Sequence, residues 1–123
     1  MTRTNAREIA VHFSFELGFS NETADELLEH MLTRPVFAQI GEEEPLYAEF
    51  PDDKQQAYIR TLVKGVYDHC PELDEYISRY AIGWKYARIP RVAVSIMRVA
   101  MYEILYMQDI PNAAAINEAV QMA

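Results

Sequence analysis

Apolar residues recur at three- and four-residue spacing along much of this chain, the period of an amphipathic helix. Ala6, Ile9, Ala10, Phe13 and Leu17 share one face and predict a first helix over roughly residues 4–17. Ser20 or Asn21 is placed to cap a second helix, whose Ala24, Leu27, Leu28 and Met31 fall on one side. Residues 33–51, with three prolines and Glu42-Glu43-Glu44, read as a loop. Asp52 followed by Gln55 forms a capping-box pattern and opens a helix that buries Tyr58, Ile59, Leu62, Val63 and Val66. That helix is expected to end near His69-Cys70, with Pro71 in the first turn of another that carries Leu73, Tyr76, Ile77 and Tyr80.

Gly83 and Pro90 bracket a connection, and the segment from Arg91 to Met107 then runs apolar almost all round. One stripe interrupts it, formed by Ser95, Arg98, Tyr102 and Tyr106. A helix of this kind is the central buried one. In a last helix Ile116, Ala119, Val120 and Ala123 share the apolar face, and Asn117-Glu118 reads as a structural pair. No segment alternates with the period of two that a half-buried strand needs. The fold class is therefore all-α, a compact single-domain helical bundle over residues 1–123.

Composition narrows this picture. Cys70 is the only cysteine, which excludes an internal disulfide and fits a reducing, cytoplasmic setting. The N-terminus has no apolar signal segment, and the run from Val92 to Met107 is shorter than the ~20 residues that cross a bilayer. A net charge of −8 opposes nucleic-acid binding at first sight. The acidity is local, however: residues 21–53 hold ten acids and one base, while 54–111 carry a net +2. An anionic partner remains compatible with the rest of the surface.

Catalytic signatures are missing. The glycines stand apart, so no phosphate-cradling loop forms, and His12, His30 and His69 lack metal-ligand spacing. Neither a metal nor a cofactor is expected. Cys70 reads as a packed thiol, and Glu103, on the apolar side of its helix, as a satisfied structural acid rather than a general acid. The chain reads as a binding protein, not an enzyme.

With the helices placed, the chain resembles the NusB family of transcription antitermination factors. The resemblance rests on "NAREIAV" at 5–11, "YIRTLVKGVYDHCPELDEYISRY" at 58–80, "RIPRVAVSIMRVAMYEILY" at 88–106 and "DIPNAAAINEAV" at 109–120. It implies a helical bundle that binds the boxA segment of nascent RNA together with NusE, a small-subunit ribosomal protein. It further implies action within the RNA polymerase antitermination complex, notably in ribosomal-RNA operons. The family's usual last helix has no counterpart in the sequence, so apolar surface near Val120 and Met122 is expected to be uncovered.

The family's arginine-rich N-terminal segment corresponds to Arg3, Thr4, Asn5 and Arg7, with Thr4 and Asn5 where many members carry further bases. Fewer cations imply weak RNA binding by the protein alone. On the first helix Arg7, Val11, Ser14 and Phe15 are expected to project away from the core, which would let Phe15 stack a base beside Arg7. Lys85, Arg88 and Arg91, flanking Trp84 and Tyr86, are assigned to the NusE contact, although Ala93 stands where the family often has an acid. The competing reading is a helical protein–protein adaptor without RNA activity, suggested by the acidic block and the sparse N-terminal bases.

Overall fold

The computed structural model describes residues 1–80, 90–107 and Met122. The connection expected from Gly83 up to Pro90, and the expected last-helix residues Ile116, Asn117, Glu118, Ala119, Val120 and Ala123, lie outside the described residues. Among the described residues five α-helices follow in order: α1 (Arg3–Leu17), α2 (Ala24–Met31), α3 (Arg34–Gly41), α4 (Asp53–Tyr80) and α5 (Arg91–Tyr106), with a 3-10 turn at Pro45–Tyr47. No strand occurs among the described residues.

Three helices make the centre. α1, α4 and α5 each pack against the other two, and α2 lies across α1 and α4. Ile9 and Phe13 of α1 meet Ile59, Leu62 and Val63 of α4 and Ile96 and Val99 of α5 in one cluster, which Leu27, Leu28 and Phe37 extend. Burying a side chain of this size contributes about 1.5–3 kcal/mol. Because α1 has neighbours on several sides, its buried surface is wider than one stripe. Val11 and Ser14, expected to face outward, are buried with the rest. Met122 is partly buried and packs against this cluster, while the surface around Val120 lies outside the described residues.

Three boundaries differ from the sequence expectation. The cap of α2 is Thr23, not Ser20 or Asn21: its hydroxyl accepts from the Glu26 N–H while the Glu26 carboxylate accepts from the Thr23 N–H. Hydrogen bonding from the Thr23 backbone N–H, then from its hydroxyl, lowers the Glu26 carboxyl from its ordinary value. The Ser20 hydroxyl instead takes the Glu22 N–H, making a turn before the helix. Residues 33–51 are not a plain loop, since α3 and the 3-10 turn lie within them. Thr33 caps α3, and Pro35 sits in its first turn, where a missing N–H costs nothing. Gly41 lets the chain return closely, because a Cβ there would lie 2.7 Å from the Tyr47 carbonyl oxygen.

The third difference is α4, which runs through Pro71 instead of stopping at Cys70. Proline cannot donate to the carbonyl four residues back. Tertiary contacts outweigh that loss: Leu73 and Ile77 are buried, Asp74 accepts two bonds from Arg98 at 2.7 and 2.8 Å, and Glu72 accepts from Tyr106 at 2.6 Å. The Asp52–Gln55 capping box that opens the helix is as expected. At Gly65 a Cβ would overlap the Tyr102 ring, so this glycine lets α4 and α5 approach.

Candidate nucleic-acid interface

The chain's first residues are docked on the start of α4. The Met1 ammonium ion-pairs with Glu49 at 2.6 Å, and the Met1 carbonyl accepts from the Gln55 side chain. Thr2 then caps α1, its hydroxyl accepting from the Asn5 N–H at 3.1 Å. Arg3 and Thr4 are exposed and Asn5 is half-buried. The Arg3 guanidinium lies 5.2 Å from the Tyr58 ring centroid, a cation–π contact that gives the charge a defined resting place.

Arg7 behaves differently from expectation. It is 2% exposed, and its guanidinium donates from Nε and Nη2 to the two Glu103 oxygens at 2.7 and 2.9 Å. The Tyr58 hydroxyl donates to the same carboxylate at 2.9 Å. Burial, then the Glu103 charge, pushes the Tyr58 phenol well above its usual range. The expectation of an outward Arg7 beside a base-stacking Phe15 is thus corrected: the arginine is held inside, where an unpaired charge is costly. Glu103 is the satisfied structural acid that its apolar setting suggested.

Phe15 is half-buried and meets Phe19 edge to face at 5.0 Å. Arg91, from the start of α5, lies 5.0 Å over the Phe19 ring. The structure therefore brings Phe15 and Arg91 to one aromatic cluster, through a residue that sequence reasoning did not single out. Phe19 is 64% exposed, and its helical offset of four from Phe15 was the available signal. This cluster stands about 18 Å along the α1 axis from Arg3. Lys85 and Arg88 lie outside the described residues.

Other candidates give no chemistry. Among the described residues no group of His, Cys, Asp and Glu could hold a metal ion. The Cys70 thiol is half-buried, donates to Asp74 at 3.7 Å, and has its pKa raised chiefly by burial, which disfavours the thiolate. No described helix is long and apolar enough to cross a membrane.

Comparison with known proteins agrees with this architecture. The NusB family profile matches residues 4–123. Transcription antitermination protein NusB of Symbiobacterium thermophilum is 35% identical, with the alignment covering 100% of this chain and 76% of that protein. The protein of that name from Bacillus subtilis is 33% identical, over 100% of this chain and 80% of its own length. The solved structure of T. maritima NusB superposes with a TM-score of 0.78 at 26% identity, covering 100% of this chain and 77% of that one. With the profile spanning almost the whole sequence and the helical bundle in agreement, the chain belongs to the NusB family.

Proposed function

We propose that this chain is a transcription antitermination factor that binds boxA-like single-stranded RNA together with NusE, and so promotes processive transcription, notably of ribosomal-RNA operons. It works by binding, without a catalytic step, as one part of the RNA polymerase antitermination complex. The observation that carries this reading is the fixed N-terminal edge. Arg3, Thr4 and Asn5 open α1; Met1, just before it, is tied to Glu49, and Arg7, in its second turn, is anchored by Glu103. A surface held in one geometry loses less conformational entropy on binding than a mobile tail does.

In this reading Arg3 neutralises phosphate, Thr4 and Asn5 bond to phosphate or sugar, and Phe15 with Phe19 offers a face for a base. Arg7 contributes by holding α1 against α5 instead of touching RNA. Arg91, with Lys85 and Arg88, is assigned to NusE. One observation favours the protein-adaptor alternative: Glu8 lies on the α1 stripe between Thr4 and Phe15, where its charge repels phosphate. RNA binding by the isolated chain is accordingly weak and is strengthened by NusE. Arg3→Glu combined with Phe15→Ala lowers RNA retention in a folded protein; unchanged retention would remove the assignment.

A further inference from the structure

Ser14 stands one turn before Leu17 on α1, and on α4 Val66 and Cys70 stand one turn apart with Tyr67 between them in the chain. Where these helices meet α5 at Arg98, a cleft of about 200 Å³ opens. Leu17, Val66 and the exposed Tyr67 line it with apolar surface. Arg98 lines it too, with its guanidinium engaged by both Asp74 oxygens at 2.7 and 2.8 Å. The Cys70 thiol, whose pKa burial raises, stays protonated and adds a small, soft surface.

The hydroxyl of Ser14 stands apart from this pattern. A serine inside a helix ordinarily turns to solvent or to a carbonyl of the preceding turn. Ser14 is only 6% exposed, and its Oγ has no hydrogen-bond partner among the described residues. No other buried side-chain nitrogen or oxygen of the described residues is in that state. Buried polar groups are otherwise paired, because leaving one dry is costly.

We infer that this cleft binds a small uncharged molecule, about one aromatic ring in size, whose hydroxyl or amide pairs with Ser14. Clefts of this kind form between the helices of bundles, and a cavity of roughly 150 Å³ already takes benzene. Charge and polarity select the occupant. Arg98 is the one charged residue in the lining, and Asp74 already meets its charge, so an ionised ligand finds no counter-ion. A pure hydrocarbon fills the walls but leaves Ser14 unpaired. A hydroxyl or amide satisfies it from either side, since the serine hydroxyl both donates and accepts. None of the lining residues belongs to the RNA or NusE assignments, so the inference goes beyond that reading and does not depend on it.

The test titrates phenol, toluene and benzoate separately into the full chain, followed by amide shifts and by the rate at which iodoacetamide alkylates Cys70. Phenol is expected to shift the amides around Ser14, Val66 and Cys70 and to slow the alkylation as it fills the cleft. Toluene binds about three- to ten-fold more weakly, for want of one hydrogen bond, and benzoate more weakly than phenol. Ser14→Ala, checked for folding by circular dichroism, brings phenol down to the level of toluene and leaves toluene within about two-fold. If that variant does not fold, methylthiolation of Cys70 in the folded wild type reads the same cleft, and the added group lowers phenol affinity about ten-fold or more. Phenol that leaves these amides and the alkylation rate unchanged, toluene or benzoate binding as tightly as phenol, full phenol affinity in folded Ser14→Ala or after methylthiolation, or dilution alone shifting the same amides would each overturn the inference.

Discussion

Arg7 and Glu103 stand 96 positions apart in sequence and meet in a two-pronged, almost water-free ion pair, with Tyr58 donating a third hydrogen bond to the same carboxylate. One contact thus ties together α1, α4 and α5. Removing one partner leaves a buried charge alone, so Glu103→Ala and Arg7→Ala are each expected to lower stability by about 3–5 kcal/mol in chemical denaturation. Tyr58→Phe, which only withdraws a donor, costs about 1.5–3 kcal/mol. Arg7→Met with Glu103→Leu is expected to be milder than either alanine variant. A double variant as damaging as the sum of the two would show that the pair is not coupled.

Two phenols, the buried Tyr47 and the partly buried Tyr58, make the protein sensitive to alkali. Tyr58 is raised by burial and then by Glu103, Tyr47 by burial and then by Glu16, Glu44 and Glu8. In an unfolded chain such groups ionise near pH ~10. Above that pH the folded state keeps protons that the unfolded state has lost, so stability is fully present below ~10 and falls as pH rises toward the higher folded values. Denaturant midpoints measured from pH 8 upward are expected to decline beyond ~10. Tyr47→Phe with Tyr58→Phe flattens that decline; an unchanged slope would place its origin elsewhere.

Gly65 separates packing from propensity. Alanine is the better helix former by about 1 kcal/mol, yet its Cβ would overlap the Tyr102 ring. Gly65→Ala is therefore expected to destabilise by about 1–3 kcal/mol. In a Tyr102→Ala background the sign reverses, because the obstruction is gone and the propensity gain remains. Thermal melts of the four proteins decide it, and a loss that persists without the ring would rule out the overlap.

Thr23→Ala is expected to cost about 1 kcal/mol by removing the cap of α2, whereas Asn21→Ala stays near wild type. A larger loss at Asn21 than at Thr23 would contradict the cap geometry.

The sequence made the helical periodicity plain, because apolar spacing alone sets it. α1, the start of α4 and α5 all follow that spacing. It was less informative where two local signals compete. Ser20, Asn21 and Thr23 are all capable caps, and only the reciprocal bond to Glu26 selects Thr23. Proline misled in two ways, because it suits a helix's first turn and is also tolerated inside a helix that tertiary contacts hold. At Pro35 it begins α3, and at Pro71 it is carried through by Asp74–Arg98 and Glu72–Tyr106, partners far away in the chain.

The candidate site was legible in part for the same reason. Arg3, Thr4 and Asn5 are at the surface edge that their sequence position suggests. In the sequence Arg7 reads as outward because it projects off the face of Ile9, Ala10, Phe13 and Leu17. Glu103, a lone acid in an apolar helix, was noticed separately. Each explains the other, but local periodicity cannot match two buried charges 96 residues apart. Phe19 escaped for the opposite reason: it lies beyond the end of α1, and only the fold brings Arg91 over it.

RNA binding assisted by NusE is best tested by titrating boxA-like and scrambled single-stranded RNA into this chain, alone and with NusE, at two salt concentrations. Weak binding is expected alone, tighter and boxA-preferring binding with NusE, and a loss of about 1–3 kcal/mol with Arg3→Glu and Phe15→Ala. The salt slope is expected to fall by about 1 for the lost cation. NusE binding with no preference for boxA, and no effect of the double variant, would contradict it and leave the protein adaptor.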